Sequence, residues 1–157
     1  VMLDDREEHS PGWKYAEWEM RGVPVRLEIG PRDIKNEQVM LVRRDTREKT
    51  PTPMAGLAAE VKTRLDEIQQ ALFDRAVAFR DEHTFATTDR AQFDATFEGR
   101  PGYVVAPWCG SSECEAQIKT ATQATISNLP LDPSPASGVC FQCGQSGQVD
   151  AYFAKSY

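Results

Sequence analysis

The sequence predicts an α/β protein, and three observations carry that reading. Val23, Val25, Leu27 and Ile29 alternate with Pro24, Arg26 and Glu28, the period of two that sets one face of a strand apart from the other. Leu57, Val61, Leu65, Ile68, Leu72, Ala76 and Phe79 recur at steps of three and four, a single stripe expected to be core on one long helix. Four cysteines then fall in two close pairs, Cys109 with Cys114 and Cys140 with Cys143, in a C-terminal part that mixes short strands and helices.

Taken in order, Val1 to Leu3 read as the end of a strand that runs into a polar loop. Ser10 is a good N-cap and Pro11 suits a first helical position, while Gly22 sits where a left-handed C-terminal cap falls, so a helix is expected over residues 11 to 21. The alternating strand follows, and Gly30-Pro31 ends it in a turn that holds Arg32 and Asp33. Gln38 to Arg43 is a short apolar run, too brief for a helix and read as a buried strand. The segment from Lys49 to Gly56, with two prolines and a glycine, is read as a connector to the long helix. A second helix is expected after a Thr88 cap, with Phe93 and Phe97 on one face. Strands are then expected over 103–106, 124–131, 139–143 and 149–155, with a helix over 115–122.

Charge and hydropathy exclude several classes. The chain of 157 residues carries a net charge of −6, which argues against wholesale nucleic-acid binding, because that needs clustered Lys and Arg. The charge is unevenly spread. Residues 12 to 49 hold nine of the eighteen basic residues and seven acidic ones, so this stretch is +2 and the remainder −8. No apolar run has the roughly 18 to 20 residues of a membrane span, and the N-terminal VMLDDREEHS has neither the basic flank nor the apolar core of a signal peptide. A cytoplasmic, reducing location with no membrane partner is expected. His9 and His83 lack a nucleophile partner pattern and are read as incidental.

Four residues separate Cys109 from Cys114, two separate Cys140 from Cys143, and twenty-five lie between the pairs. Two close pairs joined by a loop suit a tetrahedral thiolate site, with Zn²⁺ the expected occupant and its role structural because no coordination position stays open. Two disulfides are the alternative, with three possible pairings.

The stretch LDDREEHSPGWKYAEWEMRGVPVRLEIGPRD, the later QVMLVRRDT, the four cysteines and the final YFAKSY together resemble the C-terminal part of prolyl-tRNA synthetases of the archaeal and eukaryotic type, over essentially the whole chain. The resemblance implies a class II synthetase anticodon-binding domain over residues 1–85, a mixed sheet with flanking helices whose first strand and helix precede Val1, ending in the long helix. A small zinc-binding α+β domain over residues 86–157 follows. The vacant sheet position leads us to expect an exposed edge or groove. Threonyl, glycyl and histidyl synthetases share the first domain type, but the cysteine-bearing extension argues against them.

The same resemblance implies that Glu19, Arg26 and Arg32 read the anticodon of proline tRNA, whose second and third bases are guanine. A carboxylate accepts from the N1 and N2 edge of guanine, and an arginine donates two parallel hydrogen bonds to O6 and N7. Trp13, Tyr15 and Trp18 are candidates to stack on bases, with Trp18 favoured as core, and Lys14, Arg21 and Lys35 are candidates for phosphate contacts. In relatives the parent enzyme, a homodimer, activates proline with ATP and Mg²⁺ and transfers it to tRNA. The sequence shows no Gly-rich phosphate loop and no ATP-binding arginine motif, so the chain alone should not catalyse that reaction. Tyr157 matches a terminal tyrosine whose carboxylate reaches back toward the catalytic site, the alternative being a frayed tail. A different class, a free-standing zinc-stabilised interaction or synthetase-accessory module, would be indifferent to the Glu19, Arg26 and Arg32 set.

Overall fold

The computed structural model describes residues 1–99 and 102–155. The chain divides into two compact units, Val1–Arg75 and Ala76–Tyr157.

The first unit contains helix α1 (Pro11–Met20), strand β1 (Val25–Glu28), helix α2 (Pro31–Lys35), strands β2 (Gln38–Arg43) and β3 (Lys49–Pro53), and most of helix α3 (Leu57–Glu82). Ser10 caps α1, its hydroxyl accepting from the Trp13 N–H at 3.4 Å, and Pro11 occupies the first turn. Gly22 follows at φ +86°, the left-handed conformation that ends the helix at little cost only for glycine. The strands form an antiparallel sheet in the order β1-β2-β3, with Arg26 opposite Val42 and Val42 opposite Lys49. Val39, Leu41 and Val42 are buried in the central strand.

Four expectations for this unit are corrected. The segment from Lys49 to Pro53 is a strand, not a connector. Its two prolines are tolerated because β3 lies at the sheet edge, where a missing N–H can face away from the ladder. Pro31 starts a short helix and not a simple turn. The Asp33 carboxylate accepts from the Gly30 N–H at 3.0 Å and closes its first turn. Val1 to Leu3 form no strand and are fully exposed. The α3 stripe is not continuous core: Ile68 is buried, while Leu65, Leu72 and Phe79 are 39%, 38% and 63% exposed. Helical periodicity identifies a face, but burial also requires a surface packed on it.

The second unit begins in the last turns of α3 and continues through β4 (Thr84–Ala86), α4 (Arg90–Gly99), β5 (Tyr103–Trp108), α5 (Ser112–Thr122), β6 (Ala124–Asn128) and β7 (Val149–Lys155). Its sheet, ordered β4-β5-β7-β6, is mixed: β4 runs parallel to β5, and the other pairs are antiparallel. Alternation decides the core face. Val104 and Ala106 of β5 lie opposite Phe153 and Ala151 of β7, and all four are buried. Phe93 and Phe97 of α4, Ile118 of α5, Ala124 and Phe141 complete this core. Phe93 contacts three aromatic rings, Phe97, Phe141 and Phe153, at centroid distances of 5.0, 4.4 and 5.2 Å.

Here too the structure departs from the sequence reading. The cap of α4 is Asp89, whose Oδ1 accepts from the Gln92 N–H at 2.8 Å, and not Thr88. The strand β4 was not anticipated, and β6 ends at Asn128. Residues 139–143 are not a strand: a single bridge joins Val139 to Ser146, and a turn occupies the cysteine pair. In a strand, residues three apart face opposite sides, so Cys140 and Cys143 could not have served one site.

Candidate metal centre and nucleic-acid interface

The four cysteines converge. Cys109 directly follows β5, Cys114 stands in the first turn of α5, and Cys140 and Cys143 sit on the reversal before β7. Ser111 caps α5 by accepting from the Glu113 N–H at 3.2 Å, which sets the turn between the first pair. Gly144, at φ +75°, lets its N–H reach the Cys140 carbonyl at 2.8 Å and folds the second pair inward. Gly110, at φ +83°, holds a left-handed conformation that favours glycine, and a Cβ there would require the end of the Gln148 side chain to move.

All four sulfurs lie within 4.8 Å of one another, with Cys109 Sγ at 3.6 Å from Cys114 Sγ and at 3.7 Å from Cys143 Sγ. A tetrahedral site with metal–sulfur bonds of about 2.3 Å has edges of about 3.8 Å, whereas a disulfide requires about 2.05 Å. The cysteines are therefore free thiols set at the spacing of a metal site, and they can bind a metal. Burial pushes the Cys114 thiol up to about 12, and also raises Cys109. Burial would raise Cys140 as well, but backbone N–H groups of Cys143 and Gln142 outweigh it and bring that thiol down to about 7.

The first unit presents a different surface. Arg26, on the sheet face away from Leu27 and Leu41, donates from Nη1 to Glu19 Oε1 at 2.7 Å and from Nε to Glu28 Oε1 at 2.9 Å. Its guanidinium lies 4.0 Å from the centre of the Tyr15 ring. The structure thus brings Glu19 and Arg26 into direct contact. Arg32 stands exposed on α2, and among the described residues its side chain makes no hydrogen bond or ion pair. Tyr15 and Glu28, the partners of Arg26, line a depression of about 370 Å³ with Asp33, Met40 and Lys49. Tyr157 lies outside the described residues.

Sequence reasoning missed two members of this surface, Glu28 and Lys49. Lys49 Nζ lies 3.2 Å from both Glu28 carboxylate oxygens, but reading residues 49–56 as a connector hid the register that lines Lys49 up with Arg26. Strand alternation did place Glu28 on the same face as Arg26, without its bridging role. Other expectations find specific partners. The Trp18 indole donates to Asp4 Oδ2 at 2.8 Å, which holds this ring half-buried. His9 stacks on Trp13, with ring centroids 3.7 Å apart. Arg6 hydrogen-bonds Asp4 and holds its carboxyl well below the usual carboxylate range, and the same guanidinium lowers Glu17.

Residues 1–64 match the Anticodon binding domain family, and residues 90–157 match the family described as Prolyl-tRNA synthetase, C-terminal. The chain belongs to the prolyl-tRNA synthetase family. Among curated relatives, Proline--tRNA ligase 2 of Clostridioides difficile (strain 630) is 42% identical over 157 residues, all of this chain and 33% of that protein. The Proline--tRNA ligase of Symbiobacterium thermophilum is 44% identical over 165 residues, again all of this chain and 33% of the relative. That of Cytophaga hutchinsonii is 41% identical, with 100% of this chain and 32% of the relative covered. The chain thus spans about a third of the length of the curated relatives it matches. In this prolyl-tRNA synthetase chain the anticodon-binding match lies within the first unit and carries Arg26, and the C-terminal match carries all four cysteines. Among the described residues no helix is long and apolar enough to cross a membrane.

Proposed function

We propose that this chain recognises the anticodon of proline tRNA, as part of a protein that ligates proline to that tRNA. The observation that carries the reading is the setting of Arg26. Two carboxylates and an aromatic face fix its guanidinium, yet among the described residues only two of its five N–H donors are used, Nε to Glu28 and one on Nη1 to Glu19. The remaining donors suit O6 and N7 of an unstacked guanine. Glu19, with its side chain 40% exposed and one carboxylate oxygen on Arg26, can accept from the N1 and N2 edge with the other. Exposed Arg32 adds further donors.

Zn²⁺ is the metal that the four sulfurs suit best, being matched to thiolates in a closed tetrahedral set. Cys109, Cys114, Cys140 and Cys143 would hold it, and its role would be to stabilise the C-terminal unit. Proline activation with ATP and Mg²⁺ would belong to a catalytic domain of the whole protein, a cytoplasmic homodimer by its resemblance to relatives, in which the Tyr157 carboxylate would reach toward that site.

The test is a titration of the zinc-loaded chain, at fixed salt, with a proline anticodon stem-loop and with the same loop carrying each anticodon guanine replaced by adenine. Weaker binding after either replacement is the expected result. Equal affinity for all loops would overturn the reading and favour a protein-interaction module instead.

A further inference from the structure

We infer that Glu28 is a positioning residue for guanine reading, a carboxylate that sets two cations, Arg26 and Lys49, on one platform. The inference rests on the anticodon reading above and deepens it. The sheet register places Arg26 of β1, Val42 of β2 and Lys49 of β3 in one row across the same face. Two strand spacings separate the backbones of the two cations, about 10 Å. Glu28 lies two residues from Arg26 on that face and bridges the gap. Its Oε1 accepts from Arg26 Nε at 2.9 Å and from Lys49 Nζ at 3.2 Å, and its Oε2 accepts from Lys49 at 3.2 Å. The Arg26 and Glu28 side chains are each only 19% exposed, against 52% for Lys49, so the carboxylate is partly shielded from competing water.

With Nε on Glu28 and one Nη1 hydrogen on Glu19, the second Nη1 hydrogen and both on Nη2 are left for a base. An arginine held at Nε by one carboxylate and at one Nη1 hydrogen by another has its rotation fixed, and among the described residues Nη2 makes no hydrogen bond. Without Glu28, the Nε anchor is lost and Arg26 can turn its fork toward Glu19 alone. Glu28 also offsets two positive charges, so its loss should strengthen attraction to any phosphate while weakening selection among bases.

The measurement compares wild type, E28Q and R26A, each zinc-loaded, binding the native stem-loop and its guanine-replaced versions at fixed salt. For E28Q the preference for the native loop should fall about tenfold, the effect of one charge-assisted hydrogen bond, while affinity for the guanine-replaced loops is unchanged or higher. R26A should also lose preference. If R26A loses preference and E28Q keeps it, the positioning role is overturned and the anticodon reading stands. If E28Q weakens native and replaced loops by the same factor, Glu28 is merely structural and the inference falls. If R26A keeps full preference, Arg26 is not the guanine reader and the inference falls, and if wild type itself shows no preference, the anticodon reading falls with it. Should E28Q not fold, E28D is judged by the same criteria, since its shorter carboxylate cannot span both cations.

Discussion

Replacing Phe93 with alanine probes the link between the aromatic core and the cysteine centre. Phe93 is fully buried and contacts Phe97, Phe141 and Phe153, and Phe141 immediately follows Cys140 of the four-cysteine cluster. Truncating a buried phenylalanine costs about 3–5 kcal/mol. The three ring contacts argue for the upper half of that range. With a urea dependence of about 1–2 kcal/mol per molar for a unit of this size, the unfolding midpoint of the metal-loaded C-terminal unit should fall by about 2–5 M. Metal affinity should fall with it, although residue 93 is not a ligand, because binding and folding of a small metal-stabilised unit are linked. Tryptophan fluorescence in urea gives the first quantity, and competition with a chromophoric chelator gives the second. A loss of less than about 1 kcal/mol would refute the claim that Phe93 anchors this core. A large loss of stability at unchanged metal affinity would refute the coupling.

Three further outcomes follow from the same geometry. Stripping the metal with a chelator should raise amide hydrogen exchange across residues 103–155 and leave β1 to β3 protected, since the sulfurs tie only elements of the second unit. R26A should weaken binding of the native stem-loop by about 1–3 kcal/mol without changing the melting of either unit, because its partners Glu19 and Glu28 are partly exposed. In the first unit, Arg43 hydrogen-bonds Asp45 at 2.8 and 3.1 Å and holds its carboxyl below the ordinary 3.8. A depressed carboxylate contributes stability that is present above its unfolded value and lost as pH falls through its folded value. Acid unfolding of that unit should therefore show an Asp45 contribution below about pH 4, and D45N should be destabilised at pH 7 while losing less on acidification.

Much of the fold was legible because its signals are local. Ser10, Pro11 and Gly22 mark α1 almost to the residue, alternation marks β1, the apolar run from Gln38 to Arg43 matches β2, and the strand expected over 149–155 is β7. The misreadings involve information that is not local. Prolines in β3 resemble a connector until the strand is known to lie at an edge. The α3 stripe marks a helix face without revealing how little of it is covered. The cysteine spacing announced a common site, yet the strand expected over residues 139–143 was incompatible with it, a conflict visible in the sequence itself from the three-residue step between Cys140 and Cys143. At the surface around Arg26, Glu19 and Arg26 were named through resemblance. The roles of Glu28 and Lys49 depend on register across three strands, which no single segment encodes.

Atomic substitution within the bases tests the central claim most directly. Replacing each anticodon guanine in turn with 7-deazaguanine removes only the N7 acceptor and leaves pairing edge and size intact. If Arg26 donates to O6 and N7, one of these replacements should weaken binding by wild type about tenfold and leave R26A binding no weaker than to the native loop. Equal losses in wild type and R26A, or no loss in wild type at either position, would contradict it.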